Sequence, residues 1–331
     1  MLAYLIRRIG FALLTLFGVC LFTYAIFFVL SPDPAVLICG QTCSPERIAT
    51  IREQLGVDQP FLIQFGTFLA GLVVGRTYGE GAAAVQCGAP CLGHSFQSGQ
   101  NVGTMIGDRI EVTITLAVGA AIIWLIWGLI SGVLSALRAG TWVDRSFNTV
   151  ALAGIALPNY FVALVLQFVL VVQLGVLPFP TTVRFAEDPA LWWDSFIMPW
   201  IVLALMYAAM YTRLTRSNVL DTLSENYVRT ARAKGLPPVQ VVGKHVLRPS
   251  LTPIITIFGM DVATLMGGAL ITESVFGLNG IGKMARDAIS TNDQPVIMGF
   301  TLVAAFFVIT ANIVVDLLYS VLDPRIRVRS R

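Results

Sequence analysis

The chain has 331 residues, of which 56% are hydrophobic and 12% charged, about half the ~25% charge of a soluble globular domain. That balance excludes a soluble protein and places the chain in a membrane. The net charge of +3 is modest, and because membrane topology accounts for the basic residues, nothing here points to nucleic acid.

A helix that crosses hydrocarbon must satisfy its own backbone, and about 20 apolar residues are needed to span ~30 Å. The first such stretch is 10–30, preceded by Arg7 and Arg8. It resembles a signal peptide, but its apolar run exceeds the usual ~7–15 residues and no small-x-small site follows it. Residues 1–30 are therefore read as a retained anchor helix.

Residues 31–105 form a sizeable region outside the membrane. Ser44-Pro45-Glu46 is a helix start, with serine as N-cap and proline at the first helical position. Ile48, Ile51 and Leu55 then share a face, and Gly56 ends the helix. Residues 59–75 are apolar but short, and a seventh span there would put segment 221–249 on the side opposite Arg7 and Arg8, so an interfacial amphipathic helix fits better. Residues 76–103, rich in Gly, Ala and Ser, read as irregular loop.

Four of the five cysteines, Cys39, Cys43, Cys87 and Cys91, lie in this region. On an oxidising outer face they are expected to form disulfides, in one of three pairings. Zinc is the alternative, since two Cys-x3-Cys pairs with His94 nearby have ligand spacing. Free thiols are the third possibility.

The second span is 112–137, with Gly128 and Gly132 four apart as close helix packing requires. The third is 149–177, where Asn159 and Gln167, two turns apart beside Pro158, are candidates to line a route for solute or to bond between helices. The fourth is 195–212. The fifth, 250–272, carries Asp261 near its middle, where an uncompensated charge costs ~3 kcal/mol or more. Asp261 should face the bundle interior, either meeting a polar solute or its amino terminus, or held in a structural pair or protonated.

The stretch Gly277-Leu278-Asn279-Gly280-Ile281-Gly282-Lys283 imitates a phosphate loop, but Met284 stands where a magnesium-binding Ser or Thr belongs. A tight turn is the better reading. The sixth span is 295–322. Zinc-hydrolase and serine-nucleophile motifs are absent, and the two histidines, His94 and His245, fall on opposite sides of the membrane, so the chain reads as a passage or scaffold, not an enzyme. No internal repeat is visible.

Between the fourth and fifth spans lies the polar segment 221–249. Leu220, Leu223, Tyr227 and Ala231 recur at helical spacing, while Arg229 and Arg232 point elsewhere. Gly235 and Pro237-Pro238 stop that helix, and a second one starting at Pro238 would carry Val239, Val242 and Val246 on one face. The basic side chains outnumber the acidic ones, and most of the 22 basic residues fall on this side if the N-terminus is inside. A basic, bent pair of apolar-faced helices suits a groove on another protein and can act as a lever.

At these residues the chain resembles the integral membrane permeases of ABC importers, specifically the dipeptide, oligopeptide and nickel group. The stretch Asn226-Tyr227-Val228-Arg229-Thr230-Ala231-Arg232-Ala233-Lys234-Gly235-Leu236, continuing through His245-Val246-Leu247-Arg248-Pro249, is similar to that family's coupling loop. Leu55-Gly56-Val57-Asp58-Gln59-Pro60, Gly277-Leu278-Asn279-Gly280-Ile281-Gly282 and the run from Val315-Asp316 to Arg325-Ile326-Arg327 resemble it too, closest to permeases of the dipeptide permease B type.

The uncharged runs and the bias of the basic residues read as an all-α membrane protein of six transmembrane helices with both termini cytoplasmic, which the resemblance fits. Its outer loop region would follow the first span, its five-helix core would occupy 106–331, and its cytoplasmic coupling hairpin would precede the fifth span. The resemblance implies a multi-pass protein of the bacterial cell membrane that carries short peptides, or alternatively nickel or another small solute; by the residues alone, a stand-alone channel or ion-coupled carrier is a further alternative. The implied partners are a related second permease, two cytoplasmic ATPases holding ATP and magnesium, and an external solute-binding protein; the chain itself would bind no cofactor or metal. ATPase contact would fall on Glu225, Tyr227, Arg229, Ala231, Arg232, Ala233, Lys234, Gly235, Leu236, His245 and Arg248. The chain departs from the family at 76–93, an insertion before His94-Ser95-Phe96, and at Cys39 and Cys43.

Overall fold

The computed structural model describes residues 2–29, 35–36, 44–55, 58–78, 84–95 and 97–322. Cys39 and Cys43 lie outside the described residues. The described chain is mostly helical, and five helices are long and apolar enough to cross a membrane, or six if a bent pair counts as one span.

In chain order, α1 is Leu2–Val29, α2 Pro45–Leu55 and α3 Phe61–Val74. Two short antiparallel ladders follow, β1 (Arg76–Tyr78) with β2 (Val85–Cys87) and β3 (His94–Ser95) with β4 (Gln100–Asn101). Next come α4 (Val102–Leu137), α5 (Trp142–Ala156), α6 (Asn159–Gln167), α7 (Pro189–Ser224), α8 (Asn226–Ala233), α9 (Pro238–Gln240) and α10 (Arg248–Met266). The chain closes with α11 (Leu270–Val275), α12 (Ile281–Thr291) and α13 (Gln294–Leu322). The region read as irregular loop at 76–103 therefore carries two small hairpins.

The expected third span is not one straight helix. α5 and α6 meet at 97°, because Pro158 has no N–H to give and pushes Leu157 out of helical backbone, to ψ 129. The fifth span also differs. α10 ends at Met266, Gly268 takes φ +112, and Thr272 belongs to the separate helix α11.

The chain forms two compact units, one of residues 1–111 and 280–309, the other of 112–279 and 310–331. In the first, Cys20 and Tyr24 of α1 pack with Phe65 and Phe68 of α3 and with Met298 and Leu302 of α13. The far face of α3 stays apolar and open, with Leu62 77% and Val74 82% exposed. A helix of 14 residues is about 21 Å long, too short to span.

Also in this unit, Cys87 and Cys91 are joined by a disulfide. That pair is therefore not available as zinc ligands, and His94 shares a 3.1 Å hydrogen bond with Asn101 instead. In the same unit, the Ser95 hydroxyl donates to Asp293 Oδ2 at 2.5 Å. Burial pushes the Asp293 carboxyl above its ordinary pKa, and the Ser95 hydroxyl opposes that shift.

The second unit is built on the close approach of α4 and α7. A Cβ on Gly119 would lie 2.1 Å from Trp200, one on Gly128 2.5 Å from Tyr211 Cβ, and one on Gly132 2.5 Å from Thr215 Cβ. The spacing of Gly128 and Gly132 is thus a packing device, as the sequence indicated, with Gly119 extending it. Ser131 and Thr212 share a 2.6 Å hydrogen bond across the same seam, and Trp200 Nε1 donates to the Thr115 carbonyl at 2.9 Å. Small residues matter here because hydrocarbon offers helices no hydrophobic reason to associate.

Replacing Gly132 with leucine should break this seam and cost at least ~1–3 kcal/mol as overpacking, whereas Gly107→Ala, where a Cβ meets nothing within 4 Å, should be nearly neutral. Thermal unfolding of the detergent-solubilised protein checks the contrast. Equal midpoints for the two variants would contradict the packing described.

Candidate functional site

The polar segment folds as a hairpin whose geometry follows from three breaks in the helical ladder. The first is at Glu225, which caps α7 in extended backbone at ψ 145. Helix α8 restarts after it, so the stripe expected through Leu220, Leu223, Tyr227 and Ala231 does not continue. Val228 is buried instead, and Tyr227 is 45% exposed.

The second break is Gly235. Its amide donates to Arg232 and that of Leu236 to Ala231, the pattern of a Schellman cap, which needs a left-handed residue at this position. Gly235 supplies it at φ +77. Pro237 then stands extended and Pro238 opens α9.

The third break is a widening. Val241–Leu247 forms i→i+5 hydrogen bonds before α10 begins, a wider ladder that turns less per residue than an α ladder and so brings residues five apart towards one face. Val241 and Val246 therefore point inward, while Val239, expected to share one face with Val242 and Val246, is 83% exposed. A strict helical period missed this shift.

The apolar faces of the hairpin are not open to a partner, as their pattern suggested. Val228, Ala231, Val241 and Val246 form one cluster with Val219 of α7 and Ala136 of α4, and Leu223, Leu236 and Leu247 close its edge. Ser250 locks the base, its hydroxyl lying within hydrogen-bond distance of Thr222 Oγ1 at 2.9 Å and of the Val246 carbonyl at 2.7 Å.

What the hairpin presents outward is its charge. Glu225, Arg229, Arg232, Ala233, Lys234, Gly235 and Arg248 are exposed, Leu236 and His245 are half-buried, and Ala231 is inside. The Tyr227 phenol sits among them with its pKa raised by partial burial and by Glu225. The surface thus presents basic side chains together with the exposed Tyr227 and Val239, on a packed apolar backing.

The residues proposed from sequence for a solute route are not joined to one another by any hydrogen bond among the described residues. The Tyr211 hydroxyl donates to Asp261 Oδ2 at 2.7 Å, which supplies the partner that a basic residue does not. Trp124 stacks on Tyr207 at 4.6 Å beside this pair. Gln167 Nε2 reaches the Val275 carbonyl only at 3.5 Å, and Asn159 stands at the start of α6, next to the bend.

Sequence reasoning missed two acids. Glu273 is fully buried in α11 and accepts the Thr113 hydroxyl at 2.7 Å. Asp144 is 4% exposed and takes a bidentate bond from Arg216, Nε to Oδ1 at 2.7 Å and Nη2 to Oδ2 at 2.8 Å. Its signal was a lone acid in the basic connection from Arg138 to Arg145.

Comparison with known proteins follows the same outline. Residues 128–328 match the family model described as binding-protein-dependent transport system inner membrane component, and residues 1–117 match the model for its N-terminal part. The chain is 35% identical to the di/tripeptide transport system permease protein DppB of Pseudomonas aeruginosa, covering 99% of each chain. It is 34% identical to the glutathione transport system permease protein GsiC of Escherichia coli, again covering 99% of each. In fold it is similar to a chain of the MetNI methionine ABC transporter in an inward-facing conformation, with a TM-score of 0.51 and 15% identity over 67% of this chain and 97% of that one.

Because only conformational strain opposes a side chain at Gly235, where a Cβ meets nothing within 4 Å, Gly235→Asn should be tolerated and Gly235→Val should cost ~1–2 kcal/mol. Hydrogen exchange of the amides in α8 reads this directly. Unchanged protection in the valine variant would refute the cap.

Proposed function

The chain belongs to the binding-protein-dependent transport system inner membrane components, and on that premise we propose that it conducts short peptides, driven by ATPases that dock on the hairpin. It is a multi-pass permease of the bacterial inner membrane in an ABC importer. Such permeases work in general with a second permease, ATPase subunits and a binding protein, and ATP is bound in the ATPases.

The observation that carries the docking proposal is the hairpin itself. Its apolar cluster fixes it to α4 and α7, so a push on Arg229, Arg232 or Lys234 is delivered to helices rather than absorbed by a loose loop. The basic side chains and the exposed Tyr227 and Val239 give an ATPase groove both charge and an apolar anchor. Glu225, Ala233, Gly235, Leu236, His245 and Arg248 complete the contact in this reading, while Ala231, buried in the cluster, backs the surface from inside and does not touch the partner.

Basic residues favour the side that retains them, which places the hairpin, with both termini, in the cytoplasm. Residues 31–105 then face outward, towards the solute-binding protein. Peptides are the favoured solute because full-length relatives are named for dipeptides, di/tripeptides and glutathione. Asp261, held by Tyr211, is the group in the path that would meet the peptide's amino terminus.

Reconstitution of the whole importer in liposomes tests this reading. Arg232→Glu with Lys234→Glu should cut co-purification of the ATPases and uptake at least tenfold while leaving the permease folded, since both side chains are exposed. Asp261→Asn should change solute preference. Binding protein loaded with a dipeptide should stimulate ATP hydrolysis; stimulation by nickel-loaded protein alone would replace peptide with metal as the cargo.

A further inference from the structure

Asp144 is a heavily bonded buried carboxylate, and nothing in the docking surface explains it. Its Oδ1 accepts from Ser135 of α4 at 2.5 Å, from Asn148 at 2.8 Å and from Arg216 Nε of α7 at 2.7 Å. Its Oδ2 accepts from the Gly140 amide at 2.9 Å and from Arg216 Nη2 at 2.8 Å. Asn148 Nδ2 also reaches Ser135 Oγ at 3.3 Å. One side chain in the first turn of α5 thus ties that helix to both α4 and α7.

Its position relative to the hairpin gives this knot a use. Ala136, next to Ser135, and Val219, one turn past Arg216, are two of the buried residues against which Val228, Ala231, Val241 and Val246 pack. The ends of α4 and α7 that seat the hairpin are the ends that hold Asp144. From Asp144, α5 runs on to Leu157 and the 97° bend at Pro158. Gly154 rides on α7 along the way, with a Cβ there 3.3 Å from Ala209.

We propose that the Asp144–Arg216 pair is the positioning joint that passes displacement of the hairpin into α5, so that the bend at Pro158 opens or closes with it. This rests on the reading of the hairpin as the ATPase-docking element. Arginine is required rather than lysine, because only a planar fork holds both carboxylate oxygens and so transmits rotation as well as pull. A hinge is moved through a stiff connection and not through a screened surface pair.

The test uses the complete importer in nanodiscs and liposomes, with its ATPases and a dipeptide-loaded binding protein. Arg216→Lys and, independently, Ser135→Ala are compared with wild type for complex yield, thermal midpoint, stimulated ATP hydrolysis and uptake. The joint predicts that Arg216→Lys assembles with the ATPases at wild-type stoichiometry and hydrolyses ATP, yet uptake per ATP falls at least tenfold, with a smaller fall in the same ratio for Ser135→Ala. An unchanged ratio in both variants, or a loss of uptake that only follows loss of assembled complex in both, overturns it. The Arg232→Glu, Lys234→Glu variant is the control for the underlying reading: if its ATPases still co-purify, the hairpin reading fails, which a fall in uptake per ATP with Arg216→Lys cannot mimic.

Discussion

The seam between α4 and α7 is the constraint on which the second unit depends. In hydrocarbon, association rests on close contact and on polar bonds of roughly 0.6–2 kcal/mol each. Gly119, Gly128 and Gly132 bring the backbones near enough for Ser131 to meet Thr212 and for Trp200 to reach the Thr115 carbonyl. Once the helices lie at that distance, their polar ends are at one level. Ser135 and Arg216 can then share Asp144, and Ala136 and Val219 can share one apolar socket.

The hairpin takes its two-sided character from this arrangement. Its apolar side chains face its own chain, and its basic ones face out. A docking loop with the opposite sense, apolar outward, would bind a partner but would not move what lies behind it. The division explains why a segment so polar is nonetheless well packed.

The membrane character and most span positions were legible in the sequence because long uncharged runs have few alternatives once a backbone must bond to itself. The cap at Gly235 was legible for a similar reason, since glycine followed by two prolines leaves a helix one way to end. The inward faces of the hairpin were not. They depend on the restart after Glu225 and on the widened turn at Val241–Leu247, neither of which leaves a periodic signature. The knot at Asp144 was hidden because its partners, Ser135, Asn148 and Arg216, are brought together by tertiary packing, and Arg216 read only as topological charge. The bend at Pro158 had its cause in view, though a hydropathy window passes over a proline that an apolar run surrounds.

The buried back of the hairpin has a consequence for how a complex of this kind is put together. A docking element that orders only on contact charges the encounter for its own folding, roughly 0.5–1.5 kcal/mol for each side chain it immobilises. Here Val228, Ala231, Val241 and Val246 are already in place in the isolated chain. The conformational entropy is given up when the hairpin packs on its own chain, so the partner of the docking proposed above would meet a finished surface.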